Sequence, residues 1–247
     1  MQVLAIGNSF SQDAMRYLHR IAASAGEELV TVNLYIGGCT LRQHYLNMLT
    51  DSKSYILQYN GEVTGFFVSI KEALVNREWD YITMQQGSHE SFKEASYQPY
   101  LAELSAYVKK YAPKAKQLIH QTWAYEQDSE RLLNVAGYDD QAKMFADVKA
   151  AYEKAAAAIN AEGIIPSGEV FQSLLSNGIE KVHRDTFHAS LGLGRYALGL
   201  LWYRVLTGKD VADVKFADFD VPVTPEEAAV AKRCVMEIAD QYSKVLL

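Results

Sequence analysis

Val3-Leu4-Ala5-Ile6-Gly7-Asn8-Ser9-Phe10-Ser11 opens with a short apolar run, breaks it at a glycine, and continues with residues that start helices. Ala14, Leu18, Ile21, Ala22 and Ala25 then recur at helical spacing, with Gly26 placed to end the pattern. A strand that feeds directly into a helix is half of a βαβ unit, and such a unit returns to a parallel neighbouring strand. The stretch therefore predicts a parallel sheet with helices packed on its faces.

The alternation continues along the chain. Residues 29–36 are rich in β-branched side chains and close at Gly37-Gly38; residues 79–86 and 115–123 read as buried strands, and 163–170 as a weaker one. Helical patterns occupy 69–77, 99–112 (stopped by Pro113), 141–162 (capped by Gly163) and 191–207 (ended by Gly208). Thr224-Pro225-Glu226-Glu227 is a capping box with proline at the first helical position, and it opens a C-terminal helix expected over 225–246. Residues 55–64 alternate around Asn60-Gly61, a hairpin signal read as an excursion from the main sheet. With no internal repeat or linker, the expected fold class is α/β: a three-layer α/β/α sandwich with a central, mostly parallel sheet in one domain spanning 1–247.

Hydrophobic residues at 49% and charged residues at 22% exclude a disordered chain, and 15 Gly with 5 Pro exclude collagen-like organisation. A net charge of −6 argues against a nucleic-acid partner, because phosphate contacts need a concentrated positive field. The two cysteines, Cys39 and Cys234, are too sparse for a disulfide framework. The N-terminus has no cationic start, and its apolar run is shorter than a signal-peptide core or a membrane span. The expected compartment is the cytoplasm, or a secreted or periplasmic one if a leader has been removed, with no membrane partner. Oligomeric state is left open.

In parallel sheets the ligand site lies beyond the carboxyl ends of the strands, at the switch point. Four segments fall there. Ser9 and Ser11 follow the first strand, and either can serve as a helix cap or present a hydroxyl. Gly37-Gly38 permits a tight turn or close backbone approach to a ligand. Gln85-Gln86-Gly87-Ser88-His89-Glu90 is a polar cluster at a strand end, and Asp185-Thr186-Phe187-His188 sets a carboxylate and an imidazole three residues apart. Such a carboxylate can hold the ring while its other nitrogen takes a serine proton. There is no Gly-x-Ser-x-Gly elbow, Walker A loop or Gly-x-Gly-x-x-Gly.

Taken in order, Gly7-Asn8-Ser9, Gly38, Gly87-Ser88-His89-Glu90 and Asp185-x-x-His188 resemble the blocks of the SGNH/GDSL hydrolases, and the opening Ile-Gly-Asn-Ser-Phe-Ser is most similar to a bacterial branch that keeps Gly-Asn-Ser. The resemblance implies a flavodoxin-like SGNH fold and a serine esterase that needs no metal or other cofactor. Ser9 would be the nucleophile, His188 the general base and Asp185 its orienting group, with the amides of Ser9 and Gly38 in the oxyanion hole. The family's third donor is an Asn in a Gly-x-Asn-Asp block, where this chain has His89 and then Glu90. Gln86 is the favoured substitute, since an amide donates at any pH, and His89 is the alternative. Asn8, Trp123 and Tyr125 are candidate substrate contacts, the two aromatics as a platform for a sugar or acyl group. The implied substrate is a small-molecule or carbohydrate ester, with O-acetyl groups on a carbohydrate first.

Two other readings stand beside this one. A non-catalytic binder of a glycan or acyl ligand would keep the fold without turnover. A metal-dependent hydrolase would use His183, Asp185 and His188, with His89 as a further ligand. Cys39 is expected to be a buried hydrophobe with no base beside it, and His19, His44 and His120 to be structural.

Overall fold

The computed structural model describes residues 1–243. Along the chain its elements are β1 (Gln2–Gly7), α1 (Ser9–Met15), α2 (Leu18–Ser24), β2 (Val30–Tyr35), α3 (Leu41–Leu49), β3 (Tyr55–Tyr59), β4 (Glu62–Val68), α4 (Ile70–Asn76) and β5 (Tyr81–Met84). They continue with α5 (Tyr100–Tyr111), β6 (Lys116–Gln121), a π-helical turn (Arg131–Ala136), α6 (Gln141–Ile159), β7 (Gly163–Pro166), α7 (Ser167–Ser176), α8 (Leu193–Thr207) and α9 (Pro225–Ser243). The end of the helix expected over 225–246 lies outside the described residues.

The strands form one seven-stranded sheet in the order β4-β3-β2-β1-β5-β6-β7. β1 pairs parallel with β2 on one side and β5 on the other, and β6 and β7 continue the parallel set. Side chains alternate across β1. Val3 and Ala5 pack with α1, α2, α7, α8 and α9, whereas Leu4 and Ile6 pack with α3 to α6. The result is the three-layer sandwich, buried on both faces as a parallel sheet requires.

Three features differ from the expectation. The 55–64 hairpin is not an excursion: β3 pairs antiparallel with β2 and β4 with β3, so it extends the main sheet to its edge. It lies at the outer end of the strand order, not over the cleft, because Val32↔Tyr59 pairing fixes it in register with the sheet. The single helix expected over 14–25 is two, broken where Arg16 reaches out to the Gly61 carbonyl and to Asp220. The weak strand at 163–170 stops at Pro166 and becomes α7.

The chain leaves β1 to one side and returns to β5 on the other, so the switch point sits beyond the carboxyl ends of β1, β2 and β5. Ser9, Gly38 and His89 all follow those ends.

Candidate active site

Asn8 caps α1. Its side-chain oxygen accepts from the Phe10 amide at 2.9 Å, and the Ser11 hydroxyl accepts from the Asn8 amide at 3.0 Å. Ser11 in turn donates toward Asn33 Oδ1 at 2.8 Å and is fully buried. The two serines thus divide the possible roles: Ser11 closes the cap, and Ser9 is left with its hydroxyl toward the cleft. Gly7 is required for this turn, because a Cβ there would lie 2.1 Å from Ser11 Oγ.

Asn8 lines the cleft and is tied into the turns around it. Its amide nitrogen donates to the Cys39 carbonyl at 3.0 Å, and its oxygen also accepts from Gln85 Nε2 at 2.8 Å. It ties together the turns that follow β1, β2 and β5.

His188 comes to Ser9 from the far end of the chain. Its Nε2 lies 2.8 Å from Ser9 Oγ and its Nδ1 2.8 Å from Asp185 Oδ2, while its own amide donates to Asp185 Oδ1 at 2.9 Å. Burial pushes the Asp185 carboxyl up, but hydrogen bonds from the His188 ring and amide outweigh it and hold the group below its ordinary value. An ionised Asp185 accepting from Nδ1–H leaves Nε2 as the acceptor for the serine proton. The two bonds make one continuous chain, Ser9–His188–Asp185.

The loop carrying His188 is held from beneath by residues that no motif marks. The carboxylate of Asp13, on α1 and with no solvent exposure, accepts from Arg184 at 2.9 Å, from Arg195 at 2.9 Å and from the Ala189 amide at 3.1 Å. Trp123 Nε1 donates to the Phe187 carbonyl at 2.8 Å, and the Glu126 amide donates to the Thr186 carbonyl at 2.7 Å.

A cavity of about 290 Å³ opens beside Ser9, lined by Asn8, Phe10, Tyr35, Gly37, Gly38, Ser88, His89, Arg131, Phe187 and His188. Gly38 turns with φ +64°, a left-handed value that glycine adopts without strain. Among the described residues neither the Ser9 nor the Gly38 amide finds an acceptor, so both donors remain available at the cleft.

Gln86 does not supply a third. Its Nε2 donates to the Ser96 carbonyl and hydroxyl at 3.1 and 2.9 Å, and its Oε1 accepts from the Leu41 and Gly87 amides at 2.8 and 2.9 Å. All its hydrogen-bonding capacity is spent away from the Ser9 cleft. His89 does line the cleft, as does Ser88, whose hydroxyl accepts from Tyr125 at 3.1 Å and keeps its own proton. Ser88 stands in the polar cluster of the sequence with no role assigned to it, and Tyr35 is marked only by its position at the end of β2.

Trp123 and Tyr125 form no platform. Both are fully buried; Trp123 stacks on Phe10 with centroids 4.2 Å apart, and Tyr125 backs the cleft from behind Ser88. The strand runs only to Gln121, and the following turn carries both rings inward to the core. His183 is also turned away: its Nε2 meets the Ala124 carbonyl at 3.0 Å, and burial lowers its pKa to about 4. It does not converge with Asp185 and His188.

Cys39, expected to have no base nearby, has His44 Nδ1 3.5 Å from its sulfur. Burial pushes the thiol up to about 12 and the imidazole down to about 3, so the pair stays neutral and unreactive. A further buried chain runs under the turn of Ser9, from Asn8 through Gln85 to His120 Nδ1 at 2.7 Å and on to Ser167 Oγ at 3.0 Å.

The domain of unknown function DUF4886 matches residues 2–238. The chain belongs to the DUF4886 family. A DUF4886 protein from Bacteroides uniformis is 32% identical, with a TM-score of 0.90 over 98% of this chain and 95% of that one. A protein from Slackia heliotrinireducens classed with the SGNH hydrolases is 22% identical, at a TM-score of 0.61 over 83% of this chain and 97% of that one. The lipase/acylhydrolase from Enterococcus faecalis is 15% identical, at 0.52 over 84% and 95%. No curated protein matches. This DUF4886 chain therefore has the SGNH-hydrolase fold that its sequence blocks resemble. No helix among the described residues is long and apolar enough to cross a membrane.

Proposed function

We propose that the protein is a serine esterase acting on small acyl esters through a covalent acyl-enzyme. The observation that carries this reading is the Ser9–His188–Asp185 chain, with 2.8 Å at each side-chain link, at the mouth of a cleft that also holds two unpaired amides.

In the first half-reaction Ser9 Oγ bonds to the ester carbonyl carbon while its proton passes to His188 Nε2. The carbonyl oxygen takes the negative charge and accepts from the Ser9 and Gly38 amides, with His89 as the third donor in place of Gln86. The tetrahedral intermediate collapses as the alkoxide leaves with the proton from His188. Water, deprotonated by the same nitrogen, then attacks the acyl-enzyme and releases the acid and free Ser9. Turnover requires His188 Nε2 to be unprotonated, so that it can take the serine proton.

The small cleft supports a short acyl group, acetyl first. With Phe10, Trp123 and Tyr125 buried, the rings left to face a substrate are Tyr35 and Phe187. An O-acetyl group on a carbohydrate remains the substrate class to test first.

The deciding experiment is hydrolysis of p-nitrophenyl acetate by wild type and Ser9→Ala, alongside labelling by a serine-directed phosphonate. Turnover and labelling that both vanish in Ser9→Ala support the esterase. Equal turnover in both proteins removes Ser9 as nucleophile, and binding of acetylated glycans without turnover or labelling would identify a non-catalytic binder.

A further inference from the structure

We infer that Arg131 is a carboxylate-binding residue, and that the esters this cleft takes carry that carboxylate on the alcohol portion; the inference rests on the esterase reading above. Arg131 opens the π-helical turn Arg131–Ala136, which the Ser129 hydroxyl caps by accepting from the Leu132 amide at 3.1 Å. It lines the same cleft as Ser9, His89 and His188.

Its guanidinium lies over Phe187, with Cζ 3.8 Å from the ring centroid, and is 5.7 Å from that of Tyr125. Phe187 itself packs on His188, centroid to centroid at 3.8 Å. Stacking holds the planar guanidinium by its face and leaves its N–H edge for a ligand.

The guanidinium interacts with the Tyr125 hydroxyl but with no carboxylate. Among the described residues no carboxylate forms an ion pair with Arg131, whereas Arg16, Arg20, Arg184, Arg195 and Arg204 are each paired with one; Arg42, Arg77 and Arg233 also have none, but they do not line the Ser9 cleft. No Asp or Glu lines the cleft. In a chain of net charge −6, a half-buried arginine without a counter-ion beside a reactive serine is an unusual expense. A bidentate bond to a carboxylate offsets it, because the flat fork of the guanidinium matches the two oxygens.

The side of the cleft follows from His188. That ring must reach the leaving oxygen, and Arg131 stands on Phe187, the ring that packs against it. The carboxylate therefore belongs to the alcohol portion, as in an O-acetylated hydroxy acid or acidic sugar.

Two acetate esters test this, 4-acetoxybenzoate and its neutral methyl ester, each rate being divided by that ester's rate with hydroxide. Arg131→Gln is expected to lower kcat/KM for the anionic ester by about tenfold or more while leaving the methyl ester within about twofold, and Arg131→Lys to restore part of the loss. A second measurement needs no turnover: calorimetric binding of 4-hydroxybenzoate to Ser9→Ala, with and without Arg131→Gln. Cleavage of neither ester, with binding that Arg131→Gln abolishes, would count against the esterase reading and keep the carboxylate site. Cleavage of both esters with a ratio that Arg131→Gln does not change would overturn the carboxylate site and keep the esterase. Binding that is absent, or indifferent to Arg131→Gln, would also overturn it.

Discussion

Asp13 and Arg184 stand 171 residues apart and meet at 2.9 Å. Asp13 lies one helical turn beyond Ser9, and Arg184 immediately precedes Asp185, so their ion pair couples the helix of the serine to the loop of the histidine. The same carboxylate receives Arg195 and the Ala189 amide. Holding Ser9 and His188 at 2.8 Å falls to tertiary contacts such as this junction, since a separation of 179 positions gives no local reason for the two to meet.

Asp13→Asn tests the junction. It keeps the shape but removes a buried charge from two guanidinium groups, and breaking such a pair costs about 3–5 kcal/mol. The expected result is that loss in urea denaturation, together with a fall in kcat of about tenfold or more as His188 drifts from Ser9. Unchanged kcat in a destabilised protein would confine Asp13 to stability.

Ser9 and Ser11 sit two residues apart and separate cleanly by substitution. Ser11→Ala removes a cap and is expected to cost about 1 kcal/mol of stability while keeping kcat within about tenfold. Ser9→Ala should leave stability nearly unchanged and cut turnover by several powers of ten. Thermal melts and ester hydrolysis on both variants would show the crossed pattern.

His89 and Gln86 divide in the same manner. His89→Ala should lower kcat by about 10²–10³-fold if its ring donates to the oxyanion. Gln86→Ala leaves the Leu41 and Gly87 amides buried without their acceptor, at about 1–3 kcal/mol for each group so stranded. Its signature is a lower melting temperature, with kcat per folded molecule largely kept.

Three buried histidines predict acid sensitivity. Burial lowers His44 and His120 to about 3 and His183 to about 4, all below the unfolded imidazole value near 6.5. Between those values the unfolded chain binds protons that the folded chain refuses. Stability is therefore fully present above about pH 6.5 and is lost as pH falls, each histidine contributing a slope of up to about 1.4 kcal/mol per pH unit. Denaturation at pH 7, 6, 5 and 4 should show the decline, and His44→Gln should flatten it.

Much of the site is legible in the chain because its signals are local. Asp185 and His188 fall within one turn, so their pairing needs no distant information. Gly7, Asn8 and Ser11 build their cap within five consecutive positions, and the strand-to-helix alternation alone assigns the layers. The signal for the 55–64 hairpin is equally local, since Asn60-Gly61 specifies a reversal whatever surrounds it.

What the hairpin pairs with is another matter, and only β2 lying alongside makes it a sheet edge. The same holds for Gln86. Its composition suits an oxyanion donor, yet Ser96 and Leu41 stand close enough to take both ends of its amide. Trp123 and Tyr125 have the chemistry of a sugar platform, but the turn after β6 buries them. The sequence by itself determined the elements, the strand ends that hold the chemistry and the residue types placed there, because propensity, capping and periodicity act over a few residues. The tertiary structure decided which of those groups keep a free hydrogen bond, because that depends on neighbours tens to hundreds of residues away.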